Sequence, residues 1–132
     1  MEWVRRDLLN IIFGNSDNHG RNTAFIRSSN SISLAPVYDF APMKADPEGI
    51  PRSMKWAQPL EIGGEYDFHA IAERLDDLVP ARELLSALKL TAKELITLEE
   101  RLQARGVPQQ IITMPAIGFR YISEKLTRWG LL

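Results

Sequence analysis

Asn15-Ser16-Asp17-Asn18-His19-Gly20-Arg21-Asn22 is a run of polar and turn-forming residues without one apolar side chain, set between two segments of different periodicity. Before it, Val4, Leu8, Ile11 and Ile12 recur at helical spacing, which predicts a helix over Glu2–Phe13 that stops at the Gly14-Asn15 turn signal. After it, the runs 23–27 and 31–34 are joined by Ser28-Ser29-Asn30, the pattern of a small β-hairpin. The hairpin leads directly into Pro36-Val37-Tyr38-Asp39-Phe40. The polar run is therefore expected to be a loop held between a buried helix and a hairpin.

Farther along, the stretch 35–64 holds five of the eight prolines and is expected to be irregular, with a short extended piece near Trp56. From Asp67, a candidate N-cap, the period becomes helical, with Phe68, Ile71, Ala72, Leu75, Leu78 and Val79 forming one apolar stripe. A second, short helix carries Leu84, Leu85 and Leu88. Thr91-Ala92-Lys93-Glu94 has the form of a capping box in front of Leu95, Leu98 and Leu102, and Gly106 with Pro108 ends that third helix. A last helix over 114–129 is expected to bury Ile122, Leu126 and Trp129. The fold class is thus mainly α with one small β-hairpin, in a single domain over residues 1–132.

Composition narrows the function classes. A chain of 132 residues with 45% hydrophobic content can build a real core, and its net charge of -1 supplies no basic field for direct nucleic-acid binding. The absence of cysteine excludes disulfides and thiolate zinc sites and allows a reducing compartment, so a cytoplasmic location is expected. Apolar runs of only a few residues, with Glu2, Arg5, Arg6 and Asp7 near the start, argue against a membrane span or a signal peptide.

The chemistry lies in the loop and the segment after the hairpin. Phosphoryl transfer asks for a carboxylate near the attacking hydroxyl and for oxygen ligands that hold magnesium against the phosphates. An Asp, an Asn five positions later and a second Asp beyond a hairpin supply those parts. On this reading Asp17 accepts or orients the hydroxyl proton, while Asn22 and Asp39 give an amide and a carboxylate oxygen to magnesium or manganese.

Asp17-Asn18-His19-Gly20-Arg21-Asn22 followed by Val37-Tyr38-Asp39-Phe40 resembles the C-terminal part of the HipA-like serine/threonine kinases, the toxins of bacterial toxin–antitoxin pairs. The resemblance implies the helical C-lobe of a protein-kinase-like fold, with Asp17 as catalytic base and Asn22 and Asp39 as magnesium ligands. It also places His19 with them on the cofactor side, as a residue that supports loop geometry. Magnesium and ATP would be the cofactors. A protein substrate, an antitoxin-like protein and an N-terminal lobe supplied in cis or in trans would be the partners. Two departures stand out. The thirteen residues before Gly14 look helical where the family has a phosphate-covering loop and a lysine-bearing strand, and Gly63-Gly64 is too isolated to be that loop. Ala41 follows Asp39-Phe40 where ordinary protein kinases have Gly. The chain is therefore expected to be a fragment or one product of a split gene, inactive alone.

Other residues receive structural readings. Asn and Asp populate turns for backbone reasons alone, so each loop residue taken singly is a turn former. His69 is expected on a helix surface without function. Arg21 and Arg27 are expected to be solvated, and Trp3, Trp56 and Trp129 to be core or interface residues. Two functions compete with the protein kinase: a kinase of a small-molecule or lipid acceptor, and a non-enzymatic domain that binds an antitoxin or an N-lobe.

Overall fold

In the computed structural model, which describes residues 1–132, the expected first helix forms as α1 (Glu2–Phe13) and turns Val4, Leu8, Ile11 and Ile12 inward. Asp7 lies on the same face and is only 8% exposed, a buried charge in an apolar stripe. The first hairpin, β1 (Phe25–Arg27) and β2 (Ile32–Leu34), pairs Phe25 with Leu34 and Arg27 with Ile32. It projects from the body, with Phe25 67% and Ile32 71% exposed.

The stretch expected to be irregular contains a second hairpin. Strands β3 (Glu61–Ile62) and β4 (Glu65–Tyr66) pair antiparallel around Gly63 and Gly64, whose φ angles of 60° and 86° give the tight turn that two glycines favour. Gly63-Gly64 is a hairpin turn, hidden from the sequence by the shortness of its strands. No strand forms at Trp56, whose backbone N–H donates to Glu61 Oε2 at 2.9 Å instead.

Asp67 caps α2 (Phe68–Arg74) as expected, its Oδ1 accepting from Ala70 N at 2.9 Å. That helix ends early, and Leu78 is 83% exposed rather than part of the stripe. The second and third expected helices divide differently. Helix α3 (Ala81–Leu95) runs unbroken through Thr91, because Leu84, Leu88, Thr91, Ala92 and Leu95 make one continuous buried stripe. Thr91 caps nothing. Its hydroxyl donates to Ala87 O one turn back and accepts from Arg5 Nε of α1. Tertiary contact thus overrides a local capping pattern. A separate helix, α4 (Leu98–Ala104), follows and ends before Gly106, and α5 (Gln109–Ile112) was not foreseen.

The last expected helix is broken by Gly118, which has φ 73°. Only a 3-10 turn at Phe119–Tyr121 and α6 (Ile122–Arg128) are helical, yet Ile122, Leu126 and Trp129 are buried as foreseen. One core of 18 buried residues joins α1 to α4, α6 and the C-terminal Leu131. No helix is long and apolar enough to cross a membrane.

A buried polar network ties α1 to the segment 52–66. Asp7 Oδ2 accepts from Arg52 Nη2 at 2.7 Å and from Trp56 Nε1 at 2.8 Å, and Arg52 Nε donates to Glu61 Oε1 at 3.2 Å. The guanidinium also lies 5.6 Å from the centre of the Tyr66 ring. Burial opposes the Arg52 charge, but the hydrogen bond and charge of Asp7 and the charge of Glu61 outweigh it and hold the guanidinium above its ordinary range. Burial also pushes the Tyr66 hydroxyl up to about 12; the Arg52 charge acts against this shift and the Glu61 carboxylate reinforces it.

Two outcomes follow. Arg52→Met strips Asp7 and Glu61 of their buried partner and should cost about 3–5 kcal/mol in urea unfolding. Arg6→Met breaks only the exposed pair with Glu2 and should cost less than about 1 kcal/mol. For Tyr66 the fold favours the neutral hydroxyl, so its contribution is fully present below the ordinary value of 10.0 and is lost as pH rises toward about 12. Tyr66→Phe should lose less stability than the parent chain across that window, measured as the difference between their unfolding free energies at each pH.

Candidate functional site

Helix α1 ends at Gly14, whose φ of 67° lets its N–H and that of Asn15 turn back onto Ile11 O and Asn10 O. A side chain is disfavoured there twice, by the backbone angle and because an added Cβ would stand 3.3 Å from Lys44 Cβ, a tight contact. The loop that follows is polar yet enters the interior: Asn15, Ser16 and Asn18 are 5%, 3% and 3% exposed.

Such a loop stays folded only if most of its buried groups find partners, and Asn15 Oδ1, Ser16 Oγ and His19 Nδ1 are the ones that find none. Asn18 makes three hydrogen bonds. Its Oδ1 accepts from Ser53 N and Met54 N at 3.0 and 3.2 Å, and its Nδ2 donates to Met54 O at 3.0 Å. In the sequence Asn18 has no role beyond that of a turn former, although it is the residue that fastens the loop to the segment next to Arg52. With Asn18 turned inward, its neighbours Asp17 and His19 are left half-exposed, their Oδ1 and Nε2 atoms 3.5 Å apart.

Asn22 closes a 3-10 turn over Gly20–Asn22, and its Nδ2 donates to Asp17 O at 3.0 Å. A backbone carbonyl can only accept, so this bond fixes which way the amide faces. The amide oxygen of Asn22 is left free of any protein partner. Tyr38 OH donates to Arg21 O at 2.8 Å, and Phe40 meets Phe13 edge-on at 5.2 Å. Asp39, between those two anchored aromatics, is exposed and has φ 51°, an uncommon angle for a residue with a Cβ. Strain of this kind costs about 1–3 kcal/mol and persists where the surroundings over-determine the backbone.

The structure thus brings Asp17, His19 and Asn22 together. Asp39 lies on its own arm, which Tyr38 ties to the loop through its bond to Arg21 O, and makes no contact of its own with the loop's side chains. No group of three or more His, Cys, Asp or Glu side chains gathers anywhere to form an all-protein metal cage. The freed Asn22 oxygen and the unpartnered Asp39 carboxylate are nevertheless hard donors of the kind magnesium takes when phosphates and water complete its shell. Both could serve a metal that arrives with a nucleotide.

The sequence matches the HipA-like C-terminal domain family over residues 1–101. The chain belongs to that family. The HipA-like match includes every residue of the loop and of the Tyr38–Phe40 arm. The remaining residues supply Ile117, Phe119, Leu126, Trp129 and Leu131 to the core beneath them. No curated protein and no solved structure matches the chain.

Beyond Asn18, sequence reasoning missed Asp7, Arg52, Trp56 and Glu61 as supports of the HipA-like loop. Asp7 carried a signal, since it is the one charge on the inward stripe of α1. Arg52 carried none, because Asp7 lies 45 positions away, and Glu61, although its partners Arg52 and Trp56 are near in sequence, sits in a stretch without periodicity. Asn18→Ala should leave the Ser53 and Met54 amides without acceptors, speed their hydrogen exchange ahead of the α3 amides, and lower stability by about 2 kcal/mol.

Proposed function

We propose that this HipA-like domain is the catalytic-loop half of an ATP-dependent kinase that phosphorylates serine or threonine hydroxyls of a protein. The observation that carries the reading is the Asn22 side chain. Its nitrogen is committed to the backbone carbonyl of Asp17, which leaves its oxygen free, and the Asp17 carboxylate is half-exposed. The same bond also satisfies a loop carbonyl, and the oxygen it leaves over is the atom a metal would take.

On this proposal Asp17 sits where the acceptor hydroxyl binds and takes its proton as the oxygen attacks the γ-phosphorus, with ADP leaving. Magnesium, when bound with ATP, would supply charge neutralisation at the phosphates. Asn22 and Asp39 would hold it, the first through a fixed amide and the second through a carboxylate set by its strained backbone. His19, within 3.5 Å of Asp17, would keep that carboxylate oriented. Gripping the nucleotide falls to an N-terminal lobe in cis or in trans. Cytoplasmic residence, a toxin role and an antitoxin-like partner belong to the same reading, the first supported by the lack of cysteine.

A second reading, a non-enzymatic partner-binding domain, draws on one observation. Phe25, Ile26, Ile32, Val37 and Tyr38, on the first hairpin and the arm after it, are all between 43% and 71% exposed. Phe25 and Ile32 share one side of the hairpin and Ile26 takes the other, and exposed apolar surface of this kind suits contact with a partner. A lobe that covers it would serve both readings.

Asp17→Asn, in the domain combined with its nucleotide-binding lobe, should cut phosphate transfer from labelled ATP by about 100-fold or more while the circular dichroism spectrum stays unchanged. Transfer at the parent rate would remove Asp17 as the base. Asn22→Ala and Asp39→Ala should weaken magnesium–nucleotide binding instead.

A further inference from the structure

The recess that His19 and Asn22 border reaches under α1 to Asn10 and Asn15, where polar groups remain that phosphoryl transfer does not use. Asn15 is 95% buried, and its Nδ2 donates to Asn10 Oδ1 at 3.0 Å. Its Oδ1 is buried with no partner, and so is His19 Nδ1. The same bond orients Asn10: with its oxygen occupied, its amide nitrogen faces the other way and makes no hydrogen bond. The pair therefore offers a free acceptor and a free donor to one recess.

The remaining walls define what fits. Trp3, Tyr38 and Phe40 give flat apolar surface, and Leu9 and Val37 give aliphatic surface. Asp7 at the edge is already engaged by Arg52 and Trp56, Arg6 gives its Nε to Glu2, and the groups left over on Asn10 and Asn15 are neutral amides. The volume is about 50 Å³, several times the roughly 10–15 Å³ that one water needs.

We propose that this recess binds a neutral carboxamide carried on an apolar or aromatic stem. The ligand N–H would donate to Asn15 Oδ1, its C=O would accept from Asn10 Nδ2, and its stem would lie against Trp3 and Tyr38. An aromatic small molecule and an amide-bearing peptide side chain share this chemistry. The inference does not depend on the kinase reading, since the groups it uses are ones that reading leaves idle.

Side-chain amide resonances of Asn10 and Asn15 in the full chain report the binding directly. Benzamide, as the small-molecule source, and N-acetyl-glutamine methylamide, as the peptide source, are titrated separately. Saturable shifts at both asparagines are expected, and whichever probe saturates at lower concentration names the source. Benzoate, which has no N–H to donate, and toluene, which has no polar group, should leave these resonances in place. Asn10→Leu/Asn15→Leu, which exchanges both hydrogen-bonding partners for apolar groups of similar size, should weaken amide binding, read from the Trp3 indole N–H resonance, by about tenfold or more, from two lost hydrogen bonds. The proposal is overturned if neither amide shifts Asn10 and Asn15, which would leave the recess to water. Equal shifts with toluene or benzoate, a test that needs no variant, would overturn it too.

Discussion

Burying a polar loop is what the rest of this molecule is arranged around. Asn15, Ser16 and Asn18 leave water, and the desolvation of their amides and of the backbone beside them has to be offset by hydrogen bonds in fixed positions. The Asn18 carboxamide provides the decisive set, three bonds to the 53–54 backbone, at the place where Arg52 reaches Asp7 of α1. Helix, loop and the 52–61 segment are therefore one polar unit laid against an apolar core. Loosening any corner exposes unsatisfied groups at the other two.

That construction explains why the loop can present chemistry at all. Asn18 turned inward leaves Asp17 and His19 turned outward, and Asn22 is pulled onto the Asp17 carbonyl so that its oxygen stays available. On the far side, aromatic packing does the corresponding work: Phe13 bridges Phe40 to Phe119, and Tyr38 is tied to Arg21, so Asp39 has little freedom in its left-handed conformation. Rigid parts position an amide oxygen and two carboxylates without any of them being buried. Such preorganisation is what a site made chiefly of electrostatics requires.

Much of this was legible in the sequence. The α1 stripe, the Asp67 cap and the first hairpin rest on local periodicity or capping chemistry visible within short windows, and the motif residues from Asp17 to Phe40 carry the family resemblance that the match over residues 1–101 bears out. What escaped depends on distant partners. Thr91 begins a capping-box pattern, but Arg5 and the Leu84–Leu95 stripe hold it inside α3. The second hairpin has strands of two residues each, too short for any alternation to show. Asn18 and Arg52 look like loop residues until the chain folds, because their meaning is the contact each makes with a segment more than thirty positions away.

The central claim is that Asn22 and Asp39 are set to share one metal ion next to Asp17. Paramagnetic broadening by Mn2+ in the presence of ADP tests it most directly, since it registers even sparse occupancy of a site. The account predicts that the side-chain signals of Asn22 and Asp39 broaden first and together, with Asp17 next and the α3 helix unaffected. Broadening that spares Asn22 and Asp39, or that centres on another acidic cluster such as Asp76 and Asp77, would contradict it.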